Sequence, residues 1–144
     1  RLDVAFSKPH VKKSEEAEHD VSGIIGLSGD VDGVVIVSFP KLAAVRIAST
    51  FAGTDLSEAD EDFADAIGEL ANMISGNAKK DFDGLNVYLS PPSVVVGQGH
   101  QIKGTKITPR LVIPCSTQAG SFVVEVGMRL VRQAEPQLAS AAAE

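Results

Sequence analysis

Asp20-Val-Ser-Gly-Ile-Ile-Gly-Leu-Ser28 and Asp32-Gly-Val-Val-Ile-Val-Ser-Phe39 decide how this chain folds. Both runs are rich in β-branched residues, and Gly29-Asp30-Val31 between them has the composition of a hairpin turn. Pro40 follows at once and opens a helical stretch, Lys41–Ala52, which Gly53 stops. Its spacing predicts Leu42, Val45, Ile47 and Phe51 as the buried positions. Ahead of the hairpin, Leu2–Phe6 alternates with period two, and His10–Lys13 extends it beyond Pro9. Behind the first helix a longer one is predicted from Glu58 to Asp81. Ser57 is its N-cap, and the acids that follow suit the positive end of the helix dipole.

After Gly84 the pattern returns to strands at Leu85–Ser90, Ser93–Val96, Gln101–Lys106, Arg110–Ser116 and Ser121–Val131. Gly97, Gly99, Gly104, Pro109 and Gly120 punctuate them as turns. The order β, ββ, α, α, βββββ with short connections predicts an α+β fold, a mainly antiparallel sheet with two long helices packed on one face. Residues 24–27, 34–37, 94–96 and 123–126 are apolar enough to predict the middle of that sheet. Residues 1–132 read as one domain and 133–144, rich in Ala, Gln and Ser, as a frayed tail.

Composition narrows the function classes. A chain of 144 residues, 44% hydrophobic and 22% charged, fits one globular domain and excludes a fibre or a disordered tail. Thirteen basic against 19 acidic side chains give −6, which argues against a nucleic-acid binder. No apolar run approaches the roughly 18 residues of a membrane span. Cys115 is the one cysteine and cannot form an internal disulfide, which favours a reducing, cytoplasmic setting. The chain opens on Arg1 rather than Met, which points to a trimmed N-terminus. Residues 54–66 hold Asp55, Glu58, Asp60, Glu61, Asp62 and Asp65 with no basic residue, ordinarily a solvated face or the start of a helix.

Placed at about 100° per residue, the second helix sorts into two arcs. Phe63, Ile67, Leu70 and Ile74 share one, with Ala66, Met73 and Ala78 at its edges. The other carries Asp65, Gly68, Glu69, Asn72, Gly76 and Lys79. A glycine in an exposed helix interior costs about 1 kcal/mol relative to alanine. Gly68 and Gly76 on the outward arc are read either as a bare backbone, open to another macromolecule beside Glu69 and Asn72, or as a tolerated glycine at 68 and the start of C-terminal fraying at 76.

The stretch Asp65-Ala-Ile-Gly-Glu69-Leu-Ala-Asn72-Met-Ile-Ser-Gly76-Asn77-Ala resembles the signature helix of the CheC/CheX/FliY family of chemotaxis phosphatases. That signature is Asp or Ser, three residues, Glu, two residues, Asn, and Asp65, Glu69 and Asn72 occupy it. Asp20–Pro40 ahead of the helix and the Ser90–His100 turn behind it resemble the CheX type in particular. CheX relatives begin with a helix before the first strand, whereas this chain opens directly on a strand-like segment, and CheC-type relatives carry the motif twice, whereas here it occurs once.

The resemblance implies two-component chemotaxis signalling: hydrolysis of the aspartyl phosphate of a CheY-like response regulator. Asn72 would position the attacking water, and Glu69 would pair with the regulator's active-site lysine. Asp65, Gly68 and Gly76 would belong to the partner-binding surface. The chain would bind no cofactor, the Mg2+ being held by the regulator. A homodimer joined through sheet-edge strands is implied as well. The alternative is a non-catalytic module on the same fold, which binds a response regulator or flagellar-switch component through the same stripe, or serves dimerisation with the stripe merely solvated.

Other residues offer less. His10, His19 and His100 are far apart and show no zinc spacing. Gly97-Gln98-Gly99-His100-Gln101-Ile102 lacks the third glycine of a dinucleotide fingerprint and precedes a strand, so it reads as a hairpin turn. Cys115 reads as a buried, inert thiol.

Overall fold

The computed structural model describes residues 3–12, 19–97 and 110–131. The strand expected at Gln101–Lys106, His100 and the tail 133–144 lie outside them. In chain order the elements are β1 (Ala5–Phe6), β2 (His10–Val11), β3 (Val21–Gly29), β4 (Val31–Phe39), α1 (Lys41–Ala52), α2 (Glu61–Lys79), β5 (Val87–Leu89), β6 (Ser93–Val96), β7 (Leu111–Thr117) and β8 (Gly120–Leu130).

The strands form one sheet in the order β1-β7-β8-β4-β3-β5, with β2 also on β7 and β6 also on β3. The β3–β4 hairpin is the nucleus of this sheet, paired antiparallel from Val21↔Phe39 to Leu27↔Gly33. Its turn tightens onto Asp30: Gly29 adopts φ +96°, and the Asp30 carboxylate accepts a hydrogen bond from the Asn86 N–H at 2.8 Å. β8 covers the other side of β4, from Val31↔Leu130 to Ser38↔Val123. Among the described strands, the 94–96 segment, expected in the middle, lies at the margin instead. β5 and β6 run as one interrupted strand beside β3.

The interruption is a bulge. Leu89 opposes Leu27 and the Ser90 N–H bonds the Gly26 carbonyl at 2.9 Å, but Ser93 already opposes Ile24. Pro91 and Pro92 therefore stand opposite Ile25 alone, the two-against-one count of a β-bulge. Prolines have no N–H to give the ladder, which is why the break falls on them.

Both helices lie on one face of the sheet, as expected. Val21, Ile25 and Leu27 of β3, Val35, Val37 and Phe39 of β4, and Phe122 and Val124 of β8 point toward them and are buried. The Phe39 and Phe122 rings pack 5.1 Å apart, tilted by 31°. The first helix buries Ala43, Ala44, Ile47 and Ala48; of the residues expected, Ile47 is buried and Val45 partly so, whereas Leu42 is 63% exposed and Phe51 37%. A Cβ on Gly120 would fall 2.7 Å from the Ala43 Cβ, so at Ala43 the helix approaches the sheet too closely for a larger side chain.

On the opposite face Ser22, Ile36, Ser38, Val112 and Glu125 are fully buried. The Ser22 and Ser38 hydroxyls meet at 3.2 Å. A buried carboxylate needs countercharge; Lys12 Nζ and Arg110 Nε stand 3.5 and 3.6 Å from the Glu125 oxygens.

Candidate functional site

α2 starts at Glu61 rather than Glu58, with Asp60 and not Ser57 at the N-cap. The Asp60 carboxylate reaches back to accept the Ser57 N–H at 2.8 Å, closing a turn that holds Glu58 outside the helix. Glu58 pairs with Lys41 Nζ at 3.0 Å. Glu61 and Asp62 remain in the first turn, where carboxylates complement the dipole.

The helix lies close on β3. A Cβ at Gly23 would be 3.0 Å from the Ala71 Cβ and 3.3 Å from the Ile67 carbonyl. Phe63, Ala66, Ile67, Gly68, Ala71 and Ser75 are buried, while Leu70 and Ile74 are partly so. Met73 is 48% exposed.

Asp65 and Glu69 are exposed and Asn72 is half-buried. Steps of four and three residues place them along one side of the helix, about 5–6 Å apart at Cβ between neighbours. None of the three side chains makes a hydrogen bond or ion pair to a described residue. The stripe is thus uncommitted among the described residues. Gly76, on the same side beyond Asn72, has open space where a Cβ would stand.

Gly68 is not on that open side. It is buried, and its missing Cβ would lie 3.1 Å from Pro92 Cγ and 3.6 Å from Val94 Cγ2. The outward position expected of it assumed that only the sheet floor covers α2. Instead the β5–β6 bulge climbs the flank of the helix and seats its second proline on the bare backbone. The signal was the Pro91-Pro92 pair inside a strand-like run.

Among the described residues, cavities open between the helices and the sheet. One of about 470 Å3 is lined by Val4, Phe6, Leu27, Ile74, Ile113 and Phe122 among others. The second, about 420 Å3, lies between α1, α2 and Phe122. Neither includes Asp65, Glu69 or Asn72. Asp65 and Glu69 are instead presented on the exposed surface of α2, beside the half-buried Asn72.

Cys115 is 3% exposed, and its Sγ lies 3.4 Å from the Ile113 carbonyl. Burial raises its pKa above the ordinary thiol value, which suppresses the reactive thiolate. Among the described residues no group of three or more His, Cys, Asp or Glu side chains could hold a metal ion. Nor is any described helix long and apolar enough to cross a membrane.

Residues 21–116 match the family model described as chemotaxis phosphatase CheX. The chain is 33% identical over 109 residues to the CheY-P phosphatase CheX of Thermotoga maritima, spanning 74% of this chain and 70% of that protein. The crystal structure of CheX from Desulfovibrio desulfuricans superposes with a TM-score of 0.76 at 34% identity, covering 90% of this chain and 86% of that one. A CheX–CheY–BeF3–Mg2+ complex from Borrelia burgdorferi gives a TM-score of 0.70 at 25% identity, covering 88% and 84%.

Proposed function

Because this chain belongs to the chemotaxis phosphatase CheX family, we propose that it hydrolyses the aspartyl phosphate of a CheY-like response regulator, with Asn72 positioning the water and Glu69 engaging the regulator's active-site lysine. The observation that supports this reading is the uncommitted Glu69–Asn72 pair projecting from α2.

The chemistry asks little of the enzyme. An acyl phosphate is a mixed anhydride with a good leaving group. Water attacks phosphorus in line, the bond from phosphorus to the acyl oxygen breaks, and inorganic phosphate and a free aspartate carboxylate result. The proton lost by the water passes to phosphate or solvent. What must be supplied is alignment. A carboxamide accepts a hydrogen bond from the water through Oδ1 and donates through Nδ2, without bringing a negative charge beside the phosphoryl oxygens. The water-orienting glutamine of small GTPases works by the same logic.

Glu69 lies three residues before Asn72, on the same side of the helix. A carboxylate repels a phosphoryl group but attracts an ammonium, so its role is to fix docking register. Mg2+ belongs to the regulator's own acidic pocket.

The test uses regulators phosphorylated on aspartate with a radiolabel and follows phosphate release. Asn72→Ala is expected to lose about a hundredfold or more in turnover, the scale of removing one transition-state hydrogen-bonding group, while regulator binding persists. Glu69→Ala is expected to weaken binding and turnover together. Equal rates for wild type and Asn72→Ala would remove the water-positioning role. Binding without phosphate release by the wild type would favour the adaptor reading.

A further inference from the structure

We propose that the Ser90-Pro91-Pro92 bulge is a positioning element of this site: a rigid shoulder beside Asn72 on which the regulator's receiver domain seats, fixing the depth and angle at which the carboxamide enters. The inference rests on the reading of Asn72 and Glu69 above and adds a part to the same site.

The bulge is fixed at its root and at its crest. At the root, the Ser90 hydroxyl accepts the Gly26 N–H at 2.8 Å and donates to the Pro91 carbonyl at 3.0 Å. At the crest, Pro92 packs on the bare backbone of Gly68. Four residues at about 100° each place Asn72 only about 40° around the axis from Gly68. Glu69, one residue on, stands about 100° away. The shoulder therefore borders the stripe on Asn72's side and leaves Glu69's side open. Pro91 is exposed and Pro92 half-buried.

Size argues that the receiver domain must rest on something besides the stripe. A specific complex covers about 800 Å2 on each partner, more than three side chains on one helix offer. The surface next to Asn72 is the proline bulge. Proline loses no side-chain entropy on contact, and a prefixed turn spares the ordering cost that a loop would incur. Bulges beside active sites commonly re-aim a neighbouring side chain. Here one fills the flank of the helix that carries the stripe. Alignment is where this reaction is sensitive, since a displacement of about 1 Å can cost a hundredfold in rate.

Two variants test the shoulder on a CheY-type regulator that the wild-type protein dephosphorylates. Gly68→Ala sets a methyl 3.1 Å from Pro92 Cγ and displaces the crest without changing a polar group; kcat is expected to fall about tenfold. Pro91→Glu places a carboxylate on the exposed crest, facing a partner whose phosphorylation site is itself acidic; KM is expected to rise about fivefold or more with kcat changed less than about twofold. Melting curves accompany both, and Pro91→Glu keeps the test intact should Gly68→Ala fold poorly. Wild-type kcat and KM in both variants, with Asn72→Ala inactive, would overturn the shoulder alone. Full activity in Asn72→Ala would overturn the reading beneath it.

Discussion

Adding one methyl group at Gly23 measures how tightly the functional helix is held. The new Cβ would stand 3.0 Å from the Ala71 Cβ and 3.3 Å from the Ile67 carbonyl oxygen. Neither neighbour can rotate away, because a Cβ and a carbonyl move only with the backbone. Ordinary contact begins near 3.4 Å, so α2 must recede by several tenths of an ångström. Overpacking of this kind costs about 1–3 kcal/mol. Replacing glycine also removes freedom from the unfolded chain, which returns about 0.4–1 kcal/mol. The net expectation for Gly23→Ala is a loss of about 1–2 kcal/mol, or roughly 3–8 °C in Tm for a domain of this length. Urea unfolding followed by circular dichroism reads it.

The mechanism is isolated by Ala71→Gly. Alone, that change loses about 1 kcal/mol of helix propensity and about 0.8 kcal/mol for the buried methyl. Together the two substitutions are expected to cost at least about 1 kcal/mol less than their sum, since each relieves the other. Relief stays partial because the Ile67 carbonyl remains 3.3 Å from the new methyl. Additivity within about 0.5 kcal/mol, or a Gly23→Ala protein as stable as wild type, would refute the claim that this contact sets the height of α2 above the sheet.

Two further outcomes follow from buried charge and buried sulfur. Glu125→Leu removes the buried carboxylate that Lys12 and Arg110 face and is expected to cost about 3–5 kcal/mol, measured by urea unfolding; a loss under 1 kcal/mol would show that this carboxylate contributes little to the fold. Cys115 has a folded pKa above its unfolded value, so its contribution to stability is complete below about pH 9 and is lost as pH rises through the folded pKa. The drop in stability between pH 8 and pH 10 is therefore expected to be smaller in Cys115→Ala than in wild type, and equal drops would contradict it.

What could be read from the sequence was local. The β3–β4 hairpin and both ends of α1 follow from Gly29-Asp30, Pro40 and Gly53, whose backbone preferences act within a turn. The Asp65, Glu69, Asn72 stripe was legible because helical spacing alone puts three side chains in line. Gly68 was misplaced because its cover, Pro92, arrives from a bulge that no helical wheel contains. The buried face of α1 was misread in part for a similar reason: side-chain size favoured Leu42 and Phe51, whereas at Ala43 the space beneath is set by Gly120 on a distant strand. Ser57 and Asp60 are both good capping residues, and only the folded turn shows Asp60 bonding back to Ser57.

Both outer borders of the sheet carry proline in the described residues. On one, Pro9 separates β1 from β2; on the other, Pro91 and Pro92 separate β5 from β6. A foreign strand seeking to zip along either border would meet a gap in the donor row after two to four residues. Amyloid-like stacking needs six or seven uninterrupted residues. The prolines thus guard the β-rich half of the molecule against templated growth, a safeguard that Pro9→Val would weaken.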